Sequence, residues 1–431
     1  MWYGPPLALA KLLKYRSLSW LPRYYYRSFV SERDSRKIPV TDLIVLMVDH
    51  FEPSRREGEE GIIKVADWCR EYENVAREFT DADGFHPQHT WFYRYDYPNF
   101  KAVNILAECA FNGFGEIEFH LHHGNDTAES FEKTITEGVA WFNKNGAMIG
   151  ATPQLERYFA YIAGNWALDN GRFDDRYSGV NNEIEILARN GCYADFTFPA
   201  FGEISQPAQI NSIYYATEDG KPKSYNNGVP VSHGGGQQGD LMIIQGPLYI
   251  DWSNAYVEYA ALESFAPHKR ERCLYWLNAG IYVAGRPEWR IVKLHTHGMQ
   301  SAVVFKGDAL KKHLSDIEEL CNTRGFRLHY VTARGVYNMI KAAESGETGD
   351  PGKCRDFQLP PPLNHYLYLD IPYKVKELGD KVILHISEGR PTKIYTRGYD
   401  LDTLVQATRI ITLNYGGDAA VRRYDTNELA G

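Results

Sequence analysis

Leu43 to Val48 forms an unbroken apolar run, Leu-Ile-Val-Leu-Met-Val. It is far shorter than the ~20 residues a membrane span needs, and it shows no alternation of apolar and polar residues. A strand of this kind is buried on both faces, which restricts the chain to layers packed on either side of a parallel sheet. The run stops in Asp49-His50-Phe51-Glu52-Pro53. Polar residues at the end of such a strand stand where parallel α/β folds keep their sites.

The same pattern recurs down the chain. Strands are predicted at 88–93, 115–121, 158–163, 193–198, 241–245, 289–294 and 326–331. Helices are predicted at 62–79, 101–112, from Thr127 to about Asn145, 181–190, 310–322 and 334–343. A Gly-, Pro- and Asn-rich piece from Pro199 to Gly239 is read as an insertion holding a β-hairpin, with Ile213-Tyr-Tyr-Ala as one arm. Alternation of strand and helix means a parallel sheet, here closed into a barrel over residues 41–345. Residues 344–352 read as a linker, and 360–431 as a small β-rich appendage.

At 431 residues there is room for a barrel of about 250 residues plus additions. The net charge of −8 argues against nucleic acid as the main partner. Charge is nevertheless uneven: residues 1–40, read as a helical leader, carry eight basic side chains against Glu32 and Asp34, together with Trp2, Tyr3, Trp20 and Tyr24-Tyr25-Tyr26. Through residues 1–30 such a leader can lie on an anionic membrane surface, or pack across the outside of the domain. Pro5, Pro6 and Lys11 interrupt it as a signal peptide. The six cysteines are scattered with no CxxC pair, a thiol pattern that points to the cytoplasm.

Three strand ends carry the chemistry. Asp49-His50 (with Glu52) closes the first. Glu116-Ile-Glu-Phe-His120-Leu-His122-His123 closes another, and His295-Thr-His297 a third. Alternation puts Glu118, His120 and His122 on one face of their strand, opposite Ile117, Phe119 and Leu121. Strand ends of a closed parallel barrel meet on one rim, so the clusters converge. Imidazoles with a carboxylate suit a divalent ion, zinc first and otherwise iron, manganese, cobalt or nickel. His50, His120 and either His122 or His123 are its expected ligands. Bound water acidified by the ion supplies a nucleophile, a carboxylate takes its proton, and an imidazole protonates the leaving group. Asn165, Trp166 and Asp169 follow another strand end and can line a sugar pocket; a plain turn with an Asx cap explains Asp169 equally well.

On these residues the sequence resembles the polysaccharide deacetylases of carbohydrate esterase family 4 and the wider glycoside hydrolase/deacetylase superfamily. The first family motif is two adjacent aspartates, base then ligand; Asp49 matches the base and His50 stands in the ligand's place. The second is matched by Glu116-Ile-Glu-Phe-His120, with Gly124 where the family has a further histidine. The third resembles Phe198-Pro199-Ala200-Phe201-Gly202 without its arginine. The last, Leu-x-Leu-His, is matched by Val292-Lys-Leu-His295, whose histidine is the family's general acid. The resemblance implies a distorted (β/α)7 barrel and removal of an N- or O-linked acetyl group from a glycan or glycolipid. Asp49 would then accept a proton and His295, assisted by His297, would donate one. Two other readings stand beside it. One is a glycoside hydrolase using Asp49 with Glu118 or Glu52. The other is a non-catalytic metal-binding scaffold at a membrane.

Overall fold

The computed structural model describes residues 19–53, 59–144, 158–173, 176–299 and 302–362, and beyond these only short strands between 367 and 423. Residues 1–18 of the predicted leader lie outside the described residues.

Strand β1 (Asp42–Phe51) is buried along its whole length. Its odd-numbered Leu43, Val45, Met47 and Phe51 join one apolar cluster, while Ile44, Leu46 and Val48 join another on the opposite face. The doubly buried strand predicted from the apolar run is therefore the centre of the sheet. One edge of β1 pairs in parallel with β11 (Trp289–Thr296). The other is shared: its first half pairs with β12 (Arg327–Tyr330) and its second half with β2 (His89–Arg94). Beyond β2 the parallel ladder runs through β3 (Gly115–Leu121), β4 (Phe159–Ala163), β5 (Cys192–Asp195) and β8 (Leu241–Ile244). It ends in the antiparallel hairpin β6 (Ile213–Ala216) and β7 (Val229–Pro230), where the insertion was predicted, and β9 (Tyr249–Asp251) and β10 (Tyr256–Glu258) pair separately as a two-stranded ribbon.

The predicted closed barrel is not what the ladder shows. Among the described residues the sheet has two ends, β11 and β7. The irregular backbone between β5 and β6 supplies no strand to pair with β11. That edge of β11 meets irregular backbone, with Ala261 bridging His295, and the Lys293 side chain donates to the carbonyls of Phe196 and Phe198. Helix α1 (Leu21–Lys37), the described part of the leader, packs Trp20 and Tyr24 against Ile210, Leu248 and Ile250.

Helices α2 (Glu59–Ala76), α3 (Phe100–Phe111), α4 (Ala128–Lys144), α5 (Glu183–Arg189), α6 (Arg270–Asn278) and α7 (Gly307–Arg324) follow. Asn99 caps α3 by accepting from the Ala102 N–H, and Gly325 ends α7 in the left-handed conformation. The last helix, α8 (Ala333–Glu344), packs on the inner cluster with every residue buried. It meets the amino ends of the strands, where the Ala333 N–H donates to the Thr90 hydroxyl of β2 and Arg334 pairs with Glu116 of β3, opposite the carboxyl ends. Beyond residue 362 the described strands pair into two small sheets.

Candidate metal centre

Because side chains alternate along a strand, β1 sends His50 to the inner face and Asp49 to the outer one. Glu52, two residues past His50, returns to the inner side. There His50, Glu52 and His120 offer ligand atoms that all lie within 4.8 Å of one another. The His120 and His122 Nε2 atoms each stand 3.3 Å from Glu52 Oε1. The His50 ring lies 5.1 Å from that of His120, 4.7 Å from His297 and 6.4 Å from His295. Ends of β1, β3 and β11 thus deliver five imidazoles and one carboxylate to one place.

Each of three of these histidines is oriented from behind. His120 Nδ1 is 2.9 Å from the Ile162 carbonyl of β4, which leaves Nε2 toward Glu52. His122 Nδ1 faces Asp96 at 3.4 Å, and Asp96 is clamped by Arg94. A side chain at Gly164 would collide with the His122 ring, so this position has to be glycine for His122 to stand where it does. His297 receives both its backbone support and its Nδ1 partner from Glu263 Oε1, at 2.9 and 2.7 Å.

The electrostatics divide the histidines. Burial, then the neighbouring His297, His120 and His295, push His50 well below the usual imidazole range. Burial lowers His120 too, with Glu52 opposing. Burial, then Lys293 and His297, hold His295 far down. For His297 burial works against the charge, but the hydrogen bond and charge of Glu263 win and raise it. Burial opposes the charge of Glu52 as well, yet hydrogen bonds from His120 and His122 keep it strongly ionised. Neutral imidazoles beside an ionised carboxylate are the protonation states a divalent cation binds. Two buried polar atoms at the cluster, His295 Nδ1 and Trp166 Nε1, have no protein partner. This donor set fits a divalent ion of the zinc type.

Several expected site residues fall elsewhere. Asp49 is fully buried on the outer face, where Oδ2 lies 2.7 Å from His89 Nε2 and Oδ1 accepts from the Gly298 N–H. It does not face the histidines. His123 turns away to Asp126 at 2.8 Å and Glu183 at 3.4 Å and stacks on Phe131, which separates it from His122. Glu118 points inward but ends below the site, accepting from the Tyr193 hydroxyl and the Ala160 N–H. Burial there raises its carboxyl to about 8. Asp169 is sealed in the loop after β4, accepting from the Ser224 N–H, and burial beside Glu218 and Glu183 pushes it up to about 9. The Asn165 carbonyl accepts from Arg172. Trp166 is the one of that trio that packs on the cluster, 6.0 Å from His50 and 5.8 Å from His297.

Asp96, Arg94 and Glu263 are the additions, and Glu52, expected at this strand end as a glycosidase carboxylate, stands here among the histidines instead. Glu52 is marked in the sequence by its two-residue spacing from His50. Glu263 carries no such mark, because it arrives on an irregular segment whose Ala261 bridges His295.

No protein-family model matches the chain, and a search of curated proteins finds no match. Among solved structures, an alpha-mannosidase from Enterococcus faecalis V583 aligns with a TM-score of 0.38 and 10% identity, over 72% of this chain and 30% of that one. A GH57 branching enzyme from the hyperthermophilic archaeon Thermococcus kodakaraensis aligns with a TM-score of 0.33 and 11% identity, over 74% of this chain and 73% of that one. The chain thus spans 30% of the mannosidase's length, and likeness at this level assigns neither family nor activity.

Proposed function

We propose that the chain is a metal-dependent hydrolase that releases an acetyl group from a carbohydrate-bearing substrate. The observation that supports this most is the inner-face cluster His50–Glu52–His120, with His122 on one flank and His297 on the other. His50, Glu52 and His120 would hold the ion, and His122, whose nitrogens face Glu52 and Asp96, would brace Glu52 from the side. A bound divalent ion of this class supplies Lewis acidity and acidifies its water.

His297 is assigned the proton transfer. Glu263 fixes its Nδ1 and favours its charged form, so Nε2 is the nitrogen left to exchange a proton. As water's oxygen bonds to the acetyl carbon and the bond to the sugar nitrogen or oxygen breaks, the charged His297 gives its Nε2 proton to the leaving group and is reprotonated by the proton that the water sheds. Acetate and the free amine or hydroxyl result. His295, buried and held neutral, is assigned to shaping the pocket. The Trp166 ring offers a face for a sugar.

Glycoside hydrolysis is less well supported. It needs two carboxylates flanking the bond, whereas Asp49 lies on the outer face and Glu118 below the site, which leaves Glu52 alone of the three expected carboxylates at the cluster. The test combines metal analysis of the purified protein with acetate release from acetylated glycans. Co-purified or restorable metal, with acetate release lost in Glu52→Gln, supports the reading; activity undiminished by chelation or by Glu52→Gln overturns it.

A further inference from the structure

A cavity among the described residues stands apart from the histidine cluster. It has a volume of about 660 Å³ and lies between α1 and the segments around 209–212, 227–230 and 282–287. Helix α1 lines it with Arg23, Arg27, Arg33 and Lys37, against a single carboxylate, Asp34. That carboxylate is already engaged: Oδ1 accepts from Arg33 at 2.8 Å, and Oδ2 from the Tyr282 hydroxyl at 2.8 Å.

Arg27 of the lining and Arg290 behind it approach the Tyr282 ring, at 5.4 and 4.8 Å. Their partners are neutral. Arg27 donates to the Gly280 carbonyl, and Arg290 donates to the hydroxyls of Ser31 and Ser35. The Nε atoms of both are buried without a partner. Burial depresses both guanidinium groups, and Arg27 further lowers Arg290. Asp34, which Arg33 also engages, is the carboxylate whose charge reaches both groups, so positive charge here exceeds its counter-charge, and a cavity beside it is where an anion would offset the cost of burial. Guanidinium forks match tetrahedral oxyanions, and the volume exceeds a bare ion.

We propose that this cavity binds a phosphate-bearing anion, held by Arg23, Arg27 and Arg33 with Lys37 at its rim. The outer face of α1 bears on the source of that phosphate. Tyr25, Tyr26 and Phe29 are exposed, and Tyr25 stacks on the exposed Trp252 at 6.3 Å. Aromatics of this kind beside basic residues suit the headgroup layer of an anionic bilayer, so a lipid phosphate and a soluble one are both sources the site would accept. The inference stands apart from the hydrolase reading, because no residue is shared.

The experiment uses the full chain and two probes: inorganic phosphate followed by titration calorimetry, and phosphatidylglycerol vesicles followed by co-sedimentation, with phosphatidylcholine vesicles as the neutral control. Arg27→Gln and the rim pair Arg23→Gln/Arg33→Gln should each weaken phosphate binding at least tenfold. The rim pair carries the test if Arg27→Gln fails to fold. Glu52→Gln, which disables the histidine cluster, should leave phosphate binding intact and so excludes phosphate held there. Vesicle binding that inorganic phosphate competes away identifies lipid as the source; phosphate binding with no vesicle binding identifies a soluble ligand. Absence of both, or binding unchanged in the rim pair, overturns the proposal.

Discussion

Histidine meets carboxylates at both ends of β1, with opposite results. At the amino end His329 lies between Asp42 and Asp83, each 2.8 Å from one of its nitrogens. Arg327 reaches Asp42, and Arg355 reaches both Asp81 and Asp83. Burial opposes the charge on His329, but the two carboxylates prevail and raise it. With both nitrogens hydrogen-bonded to carboxylate, the ring is an imidazolium and has no lone pair for a metal. At the carboxyl end the histidines outnumber the carboxylates, burial and mutual repulsion hold His50 and His295 neutral, and polar atoms are left without partners. Proximity of histidine and acid is common to both ends. Arginine is common to both as well, since Arg94 reaches Glu52 at 3.5 Å; what separates them is that His329 has a carboxylate on each nitrogen, whereas His120 has one on Nε2 alone and a carbonyl on Nδ1.

That contrast is most strongly tested by metal content. His50→Ala and Glu52→Ala should abolish stoichiometric metal and, with it, acetate release, as read by elemental analysis and an acetate assay. Asp42→Asn, at the amino end, should leave metal content unchanged. Metal retained in the first pair and lost in the last would reverse the assignment.

The next effect in size concerns the proton carrier. His297→Asn should lower kcat by about 10²- to 10⁴-fold, the range for losing a general acid–base. Metal content should stay at the wild-type level, because His297 is not among the three closest donors. Glu263→Gln should fall between wild type and His297→Asn. A drop in metal that tracks the drop in rate would make His297 a ligand instead.

The amino-end cluster should report in stability. Breaking a buried charged pair costs about 3–5 kcal/mol, so His329→Gln should lower the unfolding free energy on that order while sparing metal content. The sign of its pH dependence follows from the raised His329 pKa. Its contribution is fully present below the unfolded value of about 6.5 and is lost as pH rises through the higher folded value. At the acid end, Asp42 and Asp83 are held down by these partners although burial opposes them, so their contribution fades only as pH falls through their depressed values. Denaturant melts of wild type and His329→Gln should therefore differ most in mildly acidic buffer and converge in alkali.

Much of this was legible in the chain. The apolar run of β1, the alternation along Glu118-Phe119-His120-Leu121-His122 and the periodic placement of helices all carried through, because each is a local consequence of burial. The same period assigns His50 and Glu52 to one face and Asp49 to the other; the match of Asp49 to a family aspartate pointed the opposite way. Helix α8 was harder to place. Arg334, Asn338, Lys341 and Glu344 look like a solvent-facing stripe, yet they are satisfied indoors. Arg334 pairs with Glu116, Asn338 holds the carbonyls of Arg355 and Leu359, and Lys341 and Glu344 meet at Tyr215. A polar stripe satisfied by distant partners has no local signature. Glu263 is hidden for the same reason.

The smallest predicted effect is also the sharpest contrast with the family pattern. An aspartate acting as catalytic base cannot be replaced by asparagine without a loss of orders of magnitude. Here Asp49 contacts His89 and the Gly298 N–H on the outer face, and a side chain at Gly298 would collide with its carboxylate. Asparagine fits the same space: its carbonyl can accept from Gly298, and its amide can donate to His89 Nε2. That requires the His89 proton to move to Nδ1, which is buried without a partner. Asp49→Asn should therefore cost about 1 kcal/mol of stability, the net worth of an ordinary hydrogen bond. Metal content and acetate release should stay within a few-fold of wild type. A collapse of kcat in a folded, metal-loaded Asp49→Asn protein would return Asp49 to the chemistry and require the outer face of β1 to reach the substrate.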